Sequence, residues 1–327
     1  MLEIIVRRLG YSLFLFFGIT LLCFWVIHLA PGTPGEARAG LNGRSGSEAA
    51  EKLNRLYGLD RPLWEQYRLW VFKMSSFDFG ESLVDGEKVK TKILKTIPVT
   101  LALNVISLLL TLALGIPLGV WLALRKGRRS EKWVSFLSLG AISLPSFWIA
   151  LVFMSWFGVR LGLFPVCGLR SVFYEDHSLV WQWADLLWHM TLPVAVITLS
   201  GTAIFSRYVQ ASMEAVLNKD FIRAARARGL SDRSVVYRHA LKNALLPVVT
   251  LLGLSVPGLL GGSVVLESVF SIPGMGRLFY SAVFSRDYPV LMGVLSLGAI
   301  LTLLGNALAD LAYAKVDPRI NRAGQKL

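Results

Sequence analysis

The chain has 327 residues, of which 54% are hydrophobic and 17% are charged, and its formal net charge is +13. This composition is too apolar for a soluble globular protein of this length, so it predicts an integral membrane protein. A strong positive charge is also typical of nucleic-acid-binding proteins, and the position of the basic residues along the chain decides between these classes.

Long stretches without Asp, Glu, Lys or Arg divide the chain, at residues 9–35, 96–124, 133–159, 186–206, 243–266 and 288–309. Each is long enough for a helix of about 20 apolar residues to cross a bilayer. A signal peptide has roughly 7–15 apolar residues and ends at small residues, so the longer first stretch predicts an uncleaved span. Six spans place both termini on one side of the membrane.

Basic residues are concentrated on the side of the termini. Of the 34 Lys and Arg residues, 19 lie in residues 1–8, 125–132, 207–242 and 310–327. The segments 160–185 and 267–287, on the opposite side, hold two each. The positive-inside rule therefore predicts cytoplasmic N- and C-termini, and anionic lipid accounts for the net charge without nucleic acid.

Residues 31–95, between the first and second spans, are predicted to form a small extracytoplasmic module. The segment carries 11 basic and nine acidic residues, and helix signals occur at about 47–56 and 62–73. Four aromatic residues of the module are expected to pack on the membrane surface: Trp64, Tyr67, Trp70 and Phe72. The module either caps the outer face of the bundle or docks a soluble partner, and the sequence leaves both functions open.

The second half of the chain has one long polar interruption, residues 207–242, which we call the polar loop. It carries eight Lys and Arg residues against three Asp and Glu residues. The pattern predicts two short helices, because Asp220 can cap the first, Gly229 can end it and Ser231 can cap the second. The second helix runs on into the apolar sequence of the fifth span.

The first helix of the polar loop is predicted to be amphipathic. Phe221, Ile222 and Ala225 are expected to share one side, and Arg223 and Arg226 project from another. Such a basic helix suits contact with an acidic protein surface inside the cell, or simply with anionic lipid headgroups.

The sequence contains none of the common nucleotide-binding or hydrolase motifs, so catalysis by this chain is not expected. Four histidines and two cysteines are scattered singly, which predicts neither a metal site nor a disulfide; they are His28, His177, His189, His239, Cys23 and Cys167. The predicted spans hold no Asp, Glu, Lys or Arg before Asp310. Ion-coupled carriers place such groups near the midplane, so an energy source outside this chain is indicated.

The segment from Asp220 to Leu230, followed by residues 239–243 and by Leu246 and Pro247, resembles the coupling loop of permease subunits in binding-protein-dependent ABC importers. That loop usually reads Glu-Ala-Ala, three residues and then Gly. Here Arg223 stands where Glu is common, which is typical of the dipeptide/oligopeptide/nickel branch. Further segments resemble the same branch in order along the chain, at residues 30–32, 57–63, 66–67, 79–82, 97–101, 163–168, 267–276, 286–289 and 317–320.

The resemblance implies an all-α polytopic membrane protein with six transmembrane helices of the type I ABC importer permease fold. Residues 1–30 hold the N-terminal segment and first span, 31–95 form the extracytoplasmic module, and 96–327 form the permease core. The coupling loop occupies about 207–242 within that core. The implied location is the bacterial cytoplasmic (inner) membrane.

The resemblance also implies partners. These are a second, homologous permease forming a heterodimer, two cytoplasmic ATPase subunits and an extracytoplasmic solute-binding protein. ATP and Mg²⁺ bind to the ATPase subunits, and this chain holds no cofactor and is not an enzyme. The residues implied in ATPase coupling are Asp220, Arg223, Ala224, Ala225, Arg226, Arg228, Gly229 and His239.

The substrate implied by the resemblance is a di- or oligopeptide, although related permeases carry nickel complexes, glutathione or oligosaccharides. Two hypotheses from other classes are an ion-coupled secondary carrier and a non-transporting scaffold or sensor. Substrate-binding residues are not identified. Polar residues within the spans are explained equally by interhelical hydrogen bonds and by substrate contact, and they are Asn104, Ser143, Ser146 and Asn306.

Overall fold

A computed structural model of the chain describes residues 2–29, 58, 60–255 and 258–316, and helices dominate these residues. The predicted all-α class is thereby confirmed. In chain order the helices are α1 (Leu2–Leu29), α2 (Leu63–Ser75), α3 (Val89–Leu124), α4 (Arg129–Ser143), α5 (Ser146–Phe153), α6 (Leu179–Leu217), α7 (Asp220–Ala227), α8 (Asp232–Ser234), α9 (Leu241–Ala244), α10 (Leu246–Ser255), α11 (Gly258–Gly261), α12 (Val264–Val269), α13 (Met275–Ser285) and α14 (Tyr288–Val316). A π-helical segment, Met154–Arg160, continues α5, and a second, Val235–Ala240, joins α8 to α9.

Four of these helices are long and apolar enough to cross a membrane, in the ranges Gly10–Leu29, Val89–Leu124, Leu179–Leu217 and Tyr288–Ala307. They coincide with the first, second, fourth and sixth predicted spans. The multi-pass character of the chain is therefore confirmed, by length and composition of its helices.

The third predicted span is broken in the structure. Helices α4 and α5 meet at Leu144 and Pro145 with a bend of 103°. Proline has no N–H to donate and disfavours helical backbone in the residue before it, and Leu144 accordingly has extended backbone with ψ of 135°. A single regular helix is thus replaced by two short ones.

The broken pair nevertheless runs the length of a bilayer beside α6. At its start Glu131 accepts a hydrogen bond from Gln210 of α6 at 3.4 Å, and beyond its end the ring of Phe164 lies 5.2 Å from that of Trp188. Gln210 and Trp188 are 22 residues apart, which is about 33 Å along a helix. The hydrocarbon core is about 30 Å thick, so α4 and α5 together count as a fifth crossing.

The fifth predicted span, 243–266, is divided among α10, α11 and α12, and residues 256–257 lie outside the described part of the chain. Gly262 follows α11 with a φ of +69°, a left-handed conformation that ends a helix. The prediction of six regular membrane helices is therefore not matched helix for helix.

The predicted helix at 47–56 and the similarity segments 30–32 and 317–320 also lie outside the described residues.

The chain separates into two compact units. The first comprises residues 1–100, 260–264 and 273–305, and the second comprises 101–259, 265–272 and 306–327. The core of the first unit joins the start of α3 to α13 and α14 through buried side chains that include Val89, Ile93, Met275, Ala282, Val290 and Leu291.

A buried carboxylate links two distant segments of the first unit. Asp287, which precedes α14, accepts hydrogen bonds from the Ser82 hydroxyl at 2.5 Å and from the Leu83 N–H at 3.1 Å. Lys92 Nζ in turn lies 3.1 Å from Ser82 Oγ and 2.6 Å from Asp85 Oδ2. The Lys92 ammonium is the main cause that lowers the pKa of Asp85 from 3.8 to about 2. This polar cluster fixes the residues before α3 to the start of α14.

Helix α2, which begins after Pro62, confirms the helix predicted at 62–73. It packs on α1, because the Tyr67 hydroxyl lies 3.0 Å from Thr20 Oγ1 and the Tyr67 ring lies 5.4 Å from that of Phe24. Tyr67 is therefore engaged with the protein. Of the four aromatic residues predicted to meet the membrane surface, Trp64 and Phe72 are exposed.

In the second unit, α3 and α6 approach closely at glycine. A Cβ atom added to Gly119 would lie 2.5 Å from Val209 Cβ and 2.6 Å from the Ser206 carbonyl oxygen, and one added to Gly115 would lie 3.2 Å from Phe205 Cβ. Two glycines four residues apart on one helix permit this backbone approach, as small residues commonly do between membrane helices. Side chains and backbone of α6 therefore pack directly on the backbone of α3 at this level.

We expect Gly119→Ala to destabilise the protein by about 1–3 kcal/mol, because the added methyl group overlaps Val209 Cβ and the Ser206 carbonyl oxygen. The matched control is Gly140→Ala in α4, where an added Cβ has nothing within 4 Å. Thermal unfolding in detergent should show a lower melting temperature for Gly119→Ala than for the control. Equal melting temperatures would contradict the close packing of α3 on α6.

Candidate functional site

The first helix of the polar loop is α7, and Lys219 is its N-cap residue, with extended backbone of φ −75° and ψ 150°. The prediction that Asp220 caps this helix was therefore wrong by one residue. Asp220 is instead the first helical residue, and its carboxylate lies 3.5 Å from Arg223 one turn later. A carboxylate in the first turn is still stabilising, since it interacts favourably with the helix dipole.

The end of α7 is set by Gly229, as predicted. Gly229 has a φ of +79°, its N–H donates to the Arg226 carbonyl at 2.9 Å, and the Leu230 N–H donates to the Ala225 carbonyl at 3.4 Å. This pair of bonds is a Schellman motif, which requires a left-handed residue at the position of Gly229. The loop therefore turns sharply after two helical turns.

The second helical segment begins at Ser231, which was also predicted. The Ser231 hydroxyl accepts a hydrogen bond from the Ser234 N–H at 3.4 Å. From there α8, the π-helical segment Val235–Ala240 and α9 continue toward α10. His239 is half-buried in this segment, and its carbonyl accepts a hydrogen bond from the Asn243 side chain at 2.7 Å.

One face of the polar loop is packed into the second unit of the chain. Ile222 and Ala225 of α7 are buried in a core cluster, as their predicted common side requires. The other buried members come from α3, α6 and the segment after Ser231, and they are Val120, Ala123, Val209, Met213, Val235, Val236, Ala240, Ala244 and Val248. The loop is thereby attached to the ends of two membrane helices by apolar contact.

Phe221 was predicted on this packed side, and the structure shows that it is 45% exposed. On a helix of about 100° per residue, Phe221 lies about 70° from the centre of the Ile222 and Ala225 pair, at the rim of the apolar stripe. The core cluster covers the centre of the stripe and leaves its rim open. Phe221 therefore belongs to the exposed surface.

The opposite face of the loop is open and basic. Six of the eight residues predicted to take part in coupling are exposed: Asp220, Arg223, Ala224, Arg226, Arg228 and Gly229. Ala225, in contrast, is buried within the chain itself. The side chains of Asp220 and Arg223 are 98% and 74% exposed, and Arg226 Nε lies 3.7 Å from Asp232 at a similarly open position. The open face thus presents the Arg223 and Arg226 guanidinium groups in exposed ion pairs, which are weak.

Three exposed apolar side chains accompany these charges, and the sequence reasoning did not assign them to this surface. They are Phe221, Leu230 and Tyr237. Their position in a polar segment outside the predicted spans, where lipid cannot explain them, was the available signal. Arginine and aromatic side chains are enriched in protein-binding surfaces, and this face presents both.

A polar network connects α4 and Lys126, which follows α3, to the part of α6 that lies one to four turns before α7. Arg207 donates to Ser135 Oγ at 2.8 Å and to Gln210 Oε1 at 2.9 Å, and Gln210 donates to Glu214 at 3.0 Å. Lys126 Nζ lies 2.5 Å from Glu214. The network joins α4 and Lys126 to α6. The part of α6 that leads into α7 is therefore held to its neighbours by hydrogen bonds and an ion pair.

Among solved structures, the fold matches a chain of the MetNI methionine ABC transporter in an inward-facing conformation, with a TM-score of 0.56. The match covers 70% of this chain and 97% of that one at 20% sequence identity. A second crystal form of MetNI gives a TM-score of 0.54. The fold is therefore that of an ABC importer permease.

Sequence comparison covers almost the whole chain. The oligopeptide transport system permease protein AppB of Bacillus subtilis (strain 168) is 38% identical over 317 residues, which are 97% of this chain and 98% of that protein. The di/tripeptide permease DppB of Pseudomonas aeruginosa and the dipeptide permease DppB of Escherichia coli K12 are each 38% identical, over 98% of this chain and 99% of their own lengths.

Two family models divide the chain between them. Residues 115–322 match the inner membrane component of binding-protein-dependent transport systems, and residues 1–104 match the N-terminal part of such components. The chain therefore belongs to the family of inner membrane permease components of binding-protein-dependent ABC transport systems.

Proposed function

We propose that this permease carries di- or oligopeptides into the cell, driven by ATP hydrolysis on separate subunits that bind the open face of the polar loop. The observation that carries the mechanism is the two-sided character of the loop, with Ile222 and Ala225 buried in the chain and Arg223 and Ala224 exposed. The peptide substrate is supported by the names of relatives that match along nearly their whole length.

The open face suits a cleft on a cytoplasmic ATPase. Ala224 and Ala227 are small and permit close approach, and Phe221 offers an apolar side chain beside them. Arg223, Arg226 and Arg228 can pair with carboxylates of the partner in bidentate geometry. The ion pairs of Arg223 and Arg226 within the loop are exposed and cost little to exchange.

The packed face transmits movement to the spans. A displacement of the ATPase pair shifts α7, and the buried Ile222 and Ala225 then press on Val209 and Met213 of α6 and on Val120 of α3. Dense apolar packing leaves little room for α7 to move alone. ATP-driven closure of the ATPases thus biases the permease between inward- and outward-facing states, which is alternating access.

The complete transporter has further parts. A second, homologous permease forms a heterodimer with this chain in the bacterial cytoplasmic membrane, with the termini of this chain in the cytoplasm. A solute-binding protein delivers substrate from outside, and the module at residues 31–95 either docks it or caps the bundle. ATP and Mg²⁺ bind only to the ATPase subunits, so this chain is a non-catalytic translocation subunit without a cofactor of its own.

The direct test of function is reconstitution of the permease in liposomes with its two ATPases, its partner permease and the binding protein. We expect uptake of labelled dipeptide that requires ATP and is accompanied by stimulated ATP hydrolysis. Nickel complexes, glutathione and oligosaccharides serve as competing substrates. Uptake that follows a proton or sodium gradient without ATP would contradict the proposal and favour a secondary carrier.

Ala224→Glu should uncouple the transporter by placing a bulky charge on the open face of α7, without altering the folded core. We expect at least a tenfold loss of peptide-stimulated ATP hydrolysis and of ATPase subunits that co-purify with the permease. Ala211→Glu, at an exposed position of α6, is the matched control and should retain both. An Ala224→Glu transporter as active as the control would exclude this face as the ATPase contact.

Gly229→Leu should weaken coupling through the backbone, because a left-handed conformation costs an L-residue about 1–2 kcal/mol. The surrounding space is open at Gly229 and equally open at Gly127, whose φ is +80°. Gly127→Leu therefore introduces the same strain outside the polar loop. We expect normal membrane insertion for both variants and reduced peptide uptake for Gly229→Leu alone; equal uptake would show that the turn at Gly229 has no role in coupling.

A further inference from the structure

The break between α4 and α5 leaves backbone polar groups in the middle of the charge-free stretch 133–159. The Ala141 carbonyl has no helical donor, because residue 145 is proline and has no N–H. The N–H groups of Trp148 and Ile149 both donate to the Pro145 carbonyl, at 3.0 and 3.2 Å. The N–H groups of the two residues before them, at the start of α5, have no acceptor within the helix. A crossing segment thus presents polar backbone at membrane depth.

This part of the crossing is also uncovered. Residues 142–148 are all exposed within the described chain, and burial resumes only at Ile149 and Ala150. The Ser143 and Ser146 side chains flank the break, one on each helix, and are among the exposed residues. The other described residues therefore do not cover these polar groups.

Lipid cannot cover such a segment. Each unsatisfied backbone group in hydrocarbon costs several kcal/mol, and irregular backbone at this depth is tolerated only against protein or against a water-filled cavity. The break carries serine hydroxyls and free backbone groups among exposed Phe147 and Trp148. A mainly apolar wall with a few polar groups is typical of a site that binds small molecules.

We propose that the break at Leu144 and Pro145 forms part of the wall of the aqueous substrate path, where the Ser143 and Ser146 hydroxyls and the free backbone groups bind the backbone of a passing peptide. This inference rests on the proposed transport function. A peptide backbone offers both donors and acceptors to such a wall. The absence of Asp, Glu, Lys and Arg from residues 133–159 leaves the wall without a preference for the charge of the peptide side chains.

The inference is tested by thiol labelling of the assembled transporter. Cys23 and Cys167 are free cysteines and are first replaced by alanine. Ser143→Cys, Ser146→Cys and Leu144→Cys place single thiols at the break, and Leu109→Cys, which is 61% exposed on the unbroken helix α3, is the matched control. A charged, membrane-impermeant methanethiosulfonate reagent is applied to both sides of proteoliposomes.

We expect the thiols at the break to react at least tenfold faster than the thiol at position 109. Dipeptide should slow this reaction, and completed modification should stop uptake. If none of the three positions reacts faster than the control, the break is covered by protein and the inference is overturned.

Uptake by the unmodified cysteine-free transporter is measured separately, so the two proposals can fail independently. Loss of ATP-dependent peptide uptake in the presence of all subunits would contradict the transport function. Labelling rates do not depend on transport, and they decide on their own whether the break faces water.

Discussion

The burial of Ile222 and Ala225 against the ends of α3 and α6 is the contact on which the proposed coupling of this chain to its ATPases depends. Without it, the polar loop would be joined to the spans only through its two chain ends. A movement of the loop would then change the conformation of these connecting residues and would not move the spans. Full burial of a side chain such as Ile222 contributes about 1.5–3 kcal/mol. The rest of the loop is then free to present charge and small residues to a partner.

The helices are tightly packed at one level of the membrane and open at another. Close to the polar loop, α3 and α6 approach through glycine, and a hydrogen-bond network centred on Gln210 fixes the neighbouring helix ends. At the middle of the third crossing, packing stops and polar backbone is left open around Pro145. The proposed force transmission requires the first arrangement, and the proposed passage of a hydrated solute requires the second.

Sequence reasoning succeeded where a local pattern determines the structure. Long apolar runs predicted α1, α3, α6 and α14, since such helices have no alternative in a bilayer. Gly229 and Ser231 were identified as helix boundaries because the hydrogen bonds they make are with residues close in sequence. The family resemblance likewise rested on short segments in a fixed order, and the comparisons confirmed it.

The failures share a physical cause, which is dependence on distant parts of the chain. The exposure of Phe221 depends on which neighbours cover α7, and α7 alone does not decide it. Pro145 stands in the middle of the third predicted span, but the size of the bend there depends on how α4 and α5 each pack against α6. The contact between Ser82 and Asp287 joins residues 205 positions apart, which no local pattern reveals.

The uninterrupted course of α6 has a mechanical consequence. The helix has 39 residues and continues through Pro193, so it is about 58 Å long. The close contacts of Gly115 and Gly119 with Phe205 and Val209 lie near the end of α6 that leads into α7, so they offer a pivot for tilting this helix. A tilt of about 10° would displace the far end by about 10 Å relative to the near end, so a small step at the proposed ATPase contact would become a much larger movement at the other end of the helix.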